Sequence, residues 1–272
     1  MNCTNCKKKI KKIKVFNFIK KKNEIKFYEC SNCQYGFTSF NRIVNYENNE
    51  QNLNYNFKKD LFYYIKKKYL NFIFRNIIKN KKSILDFSCG SGELSDALVS
   101  KKNKKVYASD IFKNKPKTFN KQIKYINNKR IFKNNKKFDC IILRHVLEHE
   151  IEFTKLIKKL KNKLNINGII YIEVPNYLSI WKLLMKERWP GYFYPFHYHL
   201  FSNKFLEKKF RNLKYKKITF EYSESPVIGT FLLTFGFNRS FSKLISLITY
   251  PFQILVSKLF FRSENLKIIC KK

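Results

Sequence analysis

Four paired cysteines, two aspartates and four histidines are the residues of this chain whose types and spacing could do chemistry. Cys3 with Cys6 and Cys30 with Cys33 form two C-x-x-C pairs separated by 23 residues. Two such turns offer four thiolates, enough to close a tetrahedral sulfur shell around a structural zinc ion with no position left for a substrate. The odd total of seven cysteines, with this spacing, fits metal binding in a reducing compartment rather than a secreted disulfide framework. Cys89, Cys140 and Cys270 fall in or beside apolar runs and read as small buried residues. The second constellation lies in SILDFSCGSGEL, residues 83–94, where Asp86 ends an apolar run and Gly90 and Gly92 sit in a turn. Glycine lets the backbone bend sharply and approach a ligand with no Cβ in the way. Asp110 closes the next apolar run 24 residues after Asp86, where a carboxylate can accept hydrogen bonds from both hydroxyls of a ribose.

Two nucleoside cofactors compete for that geometry. Nicotinamide sites use G-x-G-x-x-G so that a helix N-terminus can hold a pyrophosphate. Here Gly90-x-Gly92 runs on to Ser95, which leaves the fingerprint incomplete. Asp86 also places a negative charge beside the turn, which repels pyrophosphate and suits the ammonium of a methionine moiety. On charge, S-adenosylmethionine is favoured.

The elements that must hold these residues follow from the hydrophobic pattern. Residues 1–40 read as a separate unit, a pair of cysteine knuckles joined by a hairpin with Val15, Phe16, Phe18, Ile25 and Phe27 alternating. Residues 41–56, rich in Asn and Glu, read as a linker. Over 57–80 the residues Phe57, Leu61, Tyr64, Ile65, Tyr69, Phe72, Ile73 and Ile77 have helical spacing. Strands are expected at 83–87, 105–110, 123–126, 138–143, 168–175, 216–222 and 266–270, with helices at 92–101, 151–164 and 202–211. Alternating strands and helices predict an α/β fold, a Rossmann-like, mostly parallel seven-stranded sheet covered on both faces. Ligands of such sheets bind at the carboxyl ends of the strands, so the chemistry is expected just after them. An apolar insertion occupies 226–261, and residues 57–272 make up the main domain.

The run I-L-D-x-x-C-G-x-G resembles the first motif of class I S-adenosylmethionine-dependent methyltransferases, of the bacterial type with an N-terminal zinc ribbon. FDCIILRHVLEH (138–149) is similar to their fourth-strand motif, and GIIYIEVPN (168–176) with HLFSNKFLEKKF (199–210) to later segments of that group. The resemblance covers 57–222 well and 266–271 loosely. It departs at Ser88, where the family usually has Gly. It implies that Asp86 faces the methionine end of the cofactor, Asp110 the ribose and Ile111 the adenine, with Ser88, Gly90 and Gly92 shaping the turn. Arg144 and His145 would sit near the methyl-transfer position, and Asn127 and Asn128 would take the place of an acidic residue that contacts adenine.

Methyl transfer from a sulfonium is an in-line displacement whose activated donor carries the hard chemistry. The protein must align the acceptor and, for a hydroxyl, amine or carbon acid, remove a proton. Histidine is the usual base at neutral pH. RWPGYFYPFHYHLFS (188–202) follows the fifth strand and concentrates aromatics beside His197 and His199, as a lid over an acceptor would or as a hydrophobic plug would. His197 or His199 is expected as the base ahead of His145. His145, Glu148 and His149 also have the H-x-x-E-H spacing of an inverted metalloprotease motif, but the family resemblance explains that run without metal. His149 reads as structural.

The net charge of +38 is mostly lysine, spread along the chain, with only eight arginines. With abundant Asn, Ile, Phe and Tyr it looks like codon bias filling solvated faces, which makes nucleic acid a less favoured partner. The 44% hydrophobic content excludes a disordered chain. The first residues contain no apolar h-region, so a cytoplasmic location is expected. The uncharged runs of the insertion, 226–237 and 244–257, fall short of the ~20 residues that span a bilayer, and Pro251 is expected to break it. Punctuated by Arg239, Lys243, Lys258 and Arg262, it suits peripheral membrane contact, a cap over the active site or a dimer contact. On the resemblance alone, the acceptor would be a small or lipid-linked molecule, such as a sugar intermediate of surface polysaccharide synthesis. The alternatives are an RNA base methyltransferase and a non-catalytic zinc-binding adaptor with a degenerate methyltransferase fold.

Overall fold

A computed structural model of the chain describes residues 2–10, 12–17, 24–38, 60–101, 103–112, 115, 119–193 and 196–272. The expected linker 41–56, Phe18, Phe57 and Pro195 lie outside the described residues.

Seven strands form the central sheet: β4 (Ser83–Phe87), β5 (Lys105–Asp110), β6 (Lys124–Asn127), β7 (Phe138–Arg144), β8 (Leu164–Pro175), β10 (Lys217–Ser223) and β11 (Asn265–Lys271). Their order across the sheet is β10-β11-β8-β7-β4-β5-β6. The pairs from β6 to β8 are parallel, and β11 runs antiparallel to both neighbours. The strand order reverses at β4, which pairs β5 on one side and β7 on the other. That switch point sets the carboxyl ends of β4, β5 and β7 side by side, the crevice in which such sheets bind ligands. The inner strands β4, β5, β7 and β8 are mostly buried, as their apolar runs require, whereas the edge strands β6 and β10 are partly open to solvent.

Helices α2 (Glu93–Val99), α3 (Asn128–Lys133), α4 (Phe153–Asn162) and α6 (Asn203–Arg211) connect the strands. Helix α1 (Leu61–Phe74) starts at Asp60, whose carboxylate accepts from the Tyr63 N–H at 2.9 Å, a side-chain cap for an otherwise orphan donor. It buries Tyr63, Leu70 and Phe74 against the sheet. Of the residues with helical spacing, Leu61, Tyr64, Ile65, Tyr69 and Phe72 are exposed, while Ile73 and Ile77 are partly buried against the core. The helix is apolar on several faces, so spacing alone could not select the buried one.

The amino-terminal unit is not separate in its packing. Strands β1 (Lys12–Asn17), β2 (Glu24–Cys30) and β3 (Tyr35–Thr38) form an antiparallel meander. Its outer edge is closed by β9 (His199–Leu200), which comes from the far side of the chain. The Tyr35 ring stacks on Phe205 with centroids 4.0 Å apart. Cys3, Ile10, Tyr35 and Phe37 belong to the same buried cluster as Leu143, Phe153, Phe201 and Phe205. Each fully buried ring contributes roughly 1.5–3 kcal/mol, so this junction is a structural core rather than a loose contact.

Residues 188–202 form a plug more than a mobile lid. Trp189, Tyr192, Tyr198 and His199 are buried; Phe193 is exposed. Trp189 donates its Nε1–H to the Glu264 carboxylate at 3.0 Å, and Tyr192 donates to Glu29 at 3.0 Å, tying the segment to the sheet end and to β2.

The insertion folds as α7 (Val227–Leu233) and α8 (Arg239–Leu259). Helix α8 runs straight through Pro251, which therefore does not break it. Three of its polar residues face the protein, while Arg239, Ser240, Lys243 and Lys258 are exposed. Ser242, Gln253 and Ser257 are buried, while Phe241, Leu244, Leu247, Ile248, Phe252, Leu255 and Leu259 are exposed. Hydrogen bonds explain the inversion: Gln253 accepts from the Val227 N–H at 3.1 Å and donates to Glu224 at 3.0 Å, and Ser257 accepts from Trp181 Nε1–H at 3.0 Å. Among the described residues, no helix is long and apolar enough to cross a membrane.

Candidate active site

The glycine turn joins β4 to α2. Ser88, Gly90 and Gly92 all adopt positive φ, +54°, +53° and +79°, the left-handed region that glycine enters freely and other residues enter at a cost. This explains why the family prefers glycine where Ser88 stands. The Ser88 hydroxyl accepts from Asn128 Nδ2 at 3.0 Å, which ties the turn to the start of α3. The two glycines differ in what surrounds them. A Cβ on Gly92 would come within 2.3 Å of the Phe119 ring, so that side is filled by the protein. Among the described residues, a Cβ on Gly90 would meet nothing within 4 Å. The open side of the turn lies at Gly90.

Asp110, at the end of β5, accepts from the Gly90 N–H and from its neighbour Ile111 N–H, each at 2.7 Å. These two bonds fix the carboxylate beside the turn and leave it lone pairs for further donors. Burial raises its pKa, with the two amides opposing. Ile111 is partly exposed beside it. Asn127 caps α3 and donates to the Ile111 carbonyl at 2.7 Å, so it serves the local turn.

Asp86 is almost fully buried and accepts from Ser95 Oγ at 2.6 Å. Burial raises its pKa to about 6; the Ser95 bond and the Arg144 charge pull it down, and Asp110 pushes it up. A buried carboxylate in this state is poised to be compensated by a ligand cation.

At the end of β7, Arg144 is placed in register with Glu173 of β8, and its Nε lies 2.8 Å from the Glu173 carboxylate. Glu173 also accepts from Ser223 Oγ at 2.9 Å. Burial opposes its ionisation, but the Arg144 guanidinium outweighs that and holds the carboxyl at about 2. Arg144 is therefore engaged through Nε by a carboxylate, which joins the ends of β7 and β8.

The histidines separate. His145 follows Arg144 in the left-handed region, φ +51°, with its side chain 39% exposed and its Nδ1 3.2 Å from Glu148. His197 is buried, with Nδ1 2.8 Å from the Gly191 carbonyl, and burial lowers its pKa to about 3. His199 is buried in the β3–β9 junction, where Nδ1 meets Tyr35 Oη at 2.6 Å and Nε2 the Glu150 carbonyl at 3.2 Å. Burial lowers it to about 4. His197 and His199, the first choice of base in the sequence, are both held in the protein interior. His199 has both ring nitrogens occupied by the protein, and His197 is too strongly desolvated to hold a proton near neutrality. His145 is the histidine presented at the carboxyl edge of the sheet. Sequence reading did not single out Glu173 or Ser95 as site residues, and it met Glu148 only within the H-x-x-E-H spacing. The only signal for them was a charged or hydroxyl residue within or beside an otherwise apolar run.

In the amino-terminal unit, Cys3 Sγ lies 3.9 Å from Cys33 Sγ, and Cys6 Sγ 3.6 Å from Cys30 Sγ. All four sulfurs lie within 4.8 Å of one another. A tetrahedron with metal–sulfur bonds of ~2.3 Å has edges of about 3.8 Å, so the set fits a thiolate-bound ion and is too open for disulfides.

A family model described as a methyltransferase domain matches residues 57–219. The chain belongs to that family. The methyltransferase shares its fold with solved structures of low sequence identity. One is a SAM-dependent methyltransferase from Archaeoglobus fulgidus, at TM-score 0.53 and 19% identity, covering 78% of this chain and all of the other. Another is the plantazolicin methyltransferase BamL, solved with a triazolic desmethylPZN analog and SAH, at TM-score 0.50 and 16% identity, covering 84% and 88%. A third is human N-acetylserotonin methyltransferase in complex with SAM, at TM-score 0.50 and 13% identity, covering 76% and 52%. No curated protein matches the chain. With the family, the fold and the open carboxylate-flanked turn together, the protein is an S-adenosylmethionine-dependent methyltransferase.

Proposed function

We propose that this methyltransferase works at an anionic membrane surface on a small or lipid-linked acceptor. Helix α8 carries the proposal, because it turns Ser242, Gln253 and Ser257 inward and leaves a row of large apolar side chains in solvent beside exposed Lys243 and Lys258. The exposed face of α1 lies close by, since Lys243 of α8 is 5.3 Å from the ring centroid of Phe62 and 3.9 Å from Asp60. Contiguous exposed apolar surface flanked by cations is the pattern of a helix seated at a lipid headgroup boundary.

When bound, S-adenosylmethionine supplies an electrophilic methyl group, which leaves its sulfonium with the bonding electron pair retained by sulfur. Asp86 compensates the positive methionine end, Asp110 accepts from the ribose, and the Gly90 backbone allows close approach. Ile111 lines the adenine side. His145 accepts the proton of the acceptor, and buried Glu148 orients its ring. The four cysteines hold a structural zinc ion, which stabilises the small β1–β3 meander.

Flotation of the full chain with vesicles tests the proposal. Binding to vesicles containing anionic lipid, lost in a Leu247→Glu/Leu255→Glu double variant that stays folded, is expected. Equal flotation of both proteins, or none by either, overturns it.

A further inference from the structure

Glu148 lies on the short 3-10 turn Leu147–His149 that follows β7 and is fully buried. One of its carboxylate oxygens meets His145 Nδ1 at 3.2 Å and stands 3.9 Å from His197 Nε2. The other, Oε2, is buried and has no hydrogen-bond partner among the described residues. A carboxylate oxygen out of water with nothing to accept costs at least 1–3 kcal/mol, so this one calls for an explanation.

His149 and His197 pack beside it with ring centroids 4.6 Å apart. A nitrogen of each and a Glu148 oxygen lie within 4.8 Å of one another. Both rings have the same second contact: Nδ1 of His149 meets the Phe196 carbonyl at 2.9 Å, and Nδ1 of His197 meets the Gly191 carbonyl at 2.8 Å. A carbonyl can only accept, so each Nδ1 carries the proton and each Nε2 carries a lone pair. Metal-ligating histidines are held in the same way, with the distal N–H on a carbonyl and the other nitrogen on the ion. The residues come from two segments 48 positions apart, Glu148 and His149 after β7 and His197 from the aromatic plug, which a local motif does not explain.

We propose that Glu148, His149 and His197 form a second cation site, for a divalent first-row transition ion, with His145 at its exposed side. Two imidazoles and a carboxylate are the three-ligand set that leaves a coordination position for water or substrate. A cation there would compensate the buried Glu148 carboxylate and give the site a Lewis acid for an oxygen acceptor. A coordinated hydroxyl loses its proton more readily, and His145 stands at the edge to receive it. The acceptor class rests on the methyl-transfer reading; ion binding does not, so the two fail separately.

Cobalt(II) tests the site without reference to turnover. The full chain, stripped of weakly held metal with EDTA, is titrated with Co2+ and followed by absorption and thermal melting. The expected result is one bound equivalent with weak d–d bands and no sulfur-to-cobalt charge transfer, which separates it from the cysteine set. Azide is expected to shift those bands by occupying the open position. Glu148→Gln, His149→Gln and His197→Gln are each expected to weaken Co2+ binding by more than about tenfold, and Co2+ is expected to raise the melting temperature of wild type only. Because each variant is measured separately, one that fails to fold leaves the others to decide. Absence of bound Co2+, charge-transfer bands alone, or equal affinity in every folded variant overturns the site. Bands that azide leaves unchanged overturn the open position and with it the oxygen-acceptor role.

Discussion

Asp86 should weaken the fold that it equips for binding, and Asp86→Asn measures both effects. In the folded chain burial raises its pKa from 3.8 to about 6. A carboxyl raised in the native state binds its proton more tightly there than in the unfolded chain. Its ionisation therefore costs stability, and the cost grows as pH rises from the unfolded to the folded value. At about 1.4 kcal/mol per pKa unit the full cost is about 3 kcal/mol, reached by pH 8, and about half of that is present at pH 5. Asparagine is nearly isosteric and its carbonyl can still accept from Ser95 Oγ, 2.6 Å from the present carboxylate. Denaturant unfolding of the ligand-free protein should show Asp86→Asn more stable by up to ~3 kcal/mol at pH 8, with the gain shrinking towards pH 5. Calorimetry should show the reverse for S-adenosylmethionine, an affinity loss on the order of a hundredfold at pH 8, the size expected for an unpaired ligand cation. Wild-type affinity should itself fall as pH drops below 6, and the variant should lack that dependence. A variant that is less stable at pH 8, or whose difference from wild type does not change with pH, would refute the reasoning.

Gly90→Ala and Gly92→Ala should differ in kind. The first should cost about 1–2 kcal/mol of stability for its left-handed backbone and weaken cofactor binding by more than tenfold, while the second adds a clash with Phe119 and should unfold the turn; melting and calorimetry separate them. Glu173→Gln breaks a buried ion pair with Arg144 and should cost roughly 3–5 kcal/mol by denaturant unfolding. Its stabilisation in wild type is present above the unfolded carboxyl value of 4.5 and is lost as pH falls through about 2. Zinc chelation, or Cys30→Ser, should lower the melting temperature of the whole protein in one transition, because the cysteine unit shares its core with the main domain. Two separate transitions would show the parts to be independent.

Much of this architecture was legible from pattern. Each of the seven central strands is an apolar run, and each is present within a few residues of its expected bounds, with β8 beginning earlier, at Leu164. The short elements were not legible. Helix α5 (Ile180–Met185) and the two-residue β9 carry too few residues for a period to show. Asp86 and Asp110 stood out because a charge closing an apolar run is conspicuous. The roles of the histidines did not, because they depend on which carbonyls and hydroxyls fold back onto each ring. His199 meets Tyr35 from 164 positions away, and no local spacing encodes that contact.

The same long reach bears on how the chain is made. Strand β3 leaves the ribosome early, yet its pairing partner Leu200 follows Gly36 by 164 residues. At ~5–20 residues per second the partner arrives roughly 10–30 s later. Through that interval the strand carries an open edge of unpaired amides and carbonyls, the kind of edge that recruits neighbouring chains. A zinc ion held by the two knuckles, as proposed above, would keep the meander in shape while it waits. On this account, the cysteines matter most to the nascent polypeptide, and a shortage of zinc would appear as aggregates during synthesis before it appeared as lost activity in the finished enzyme.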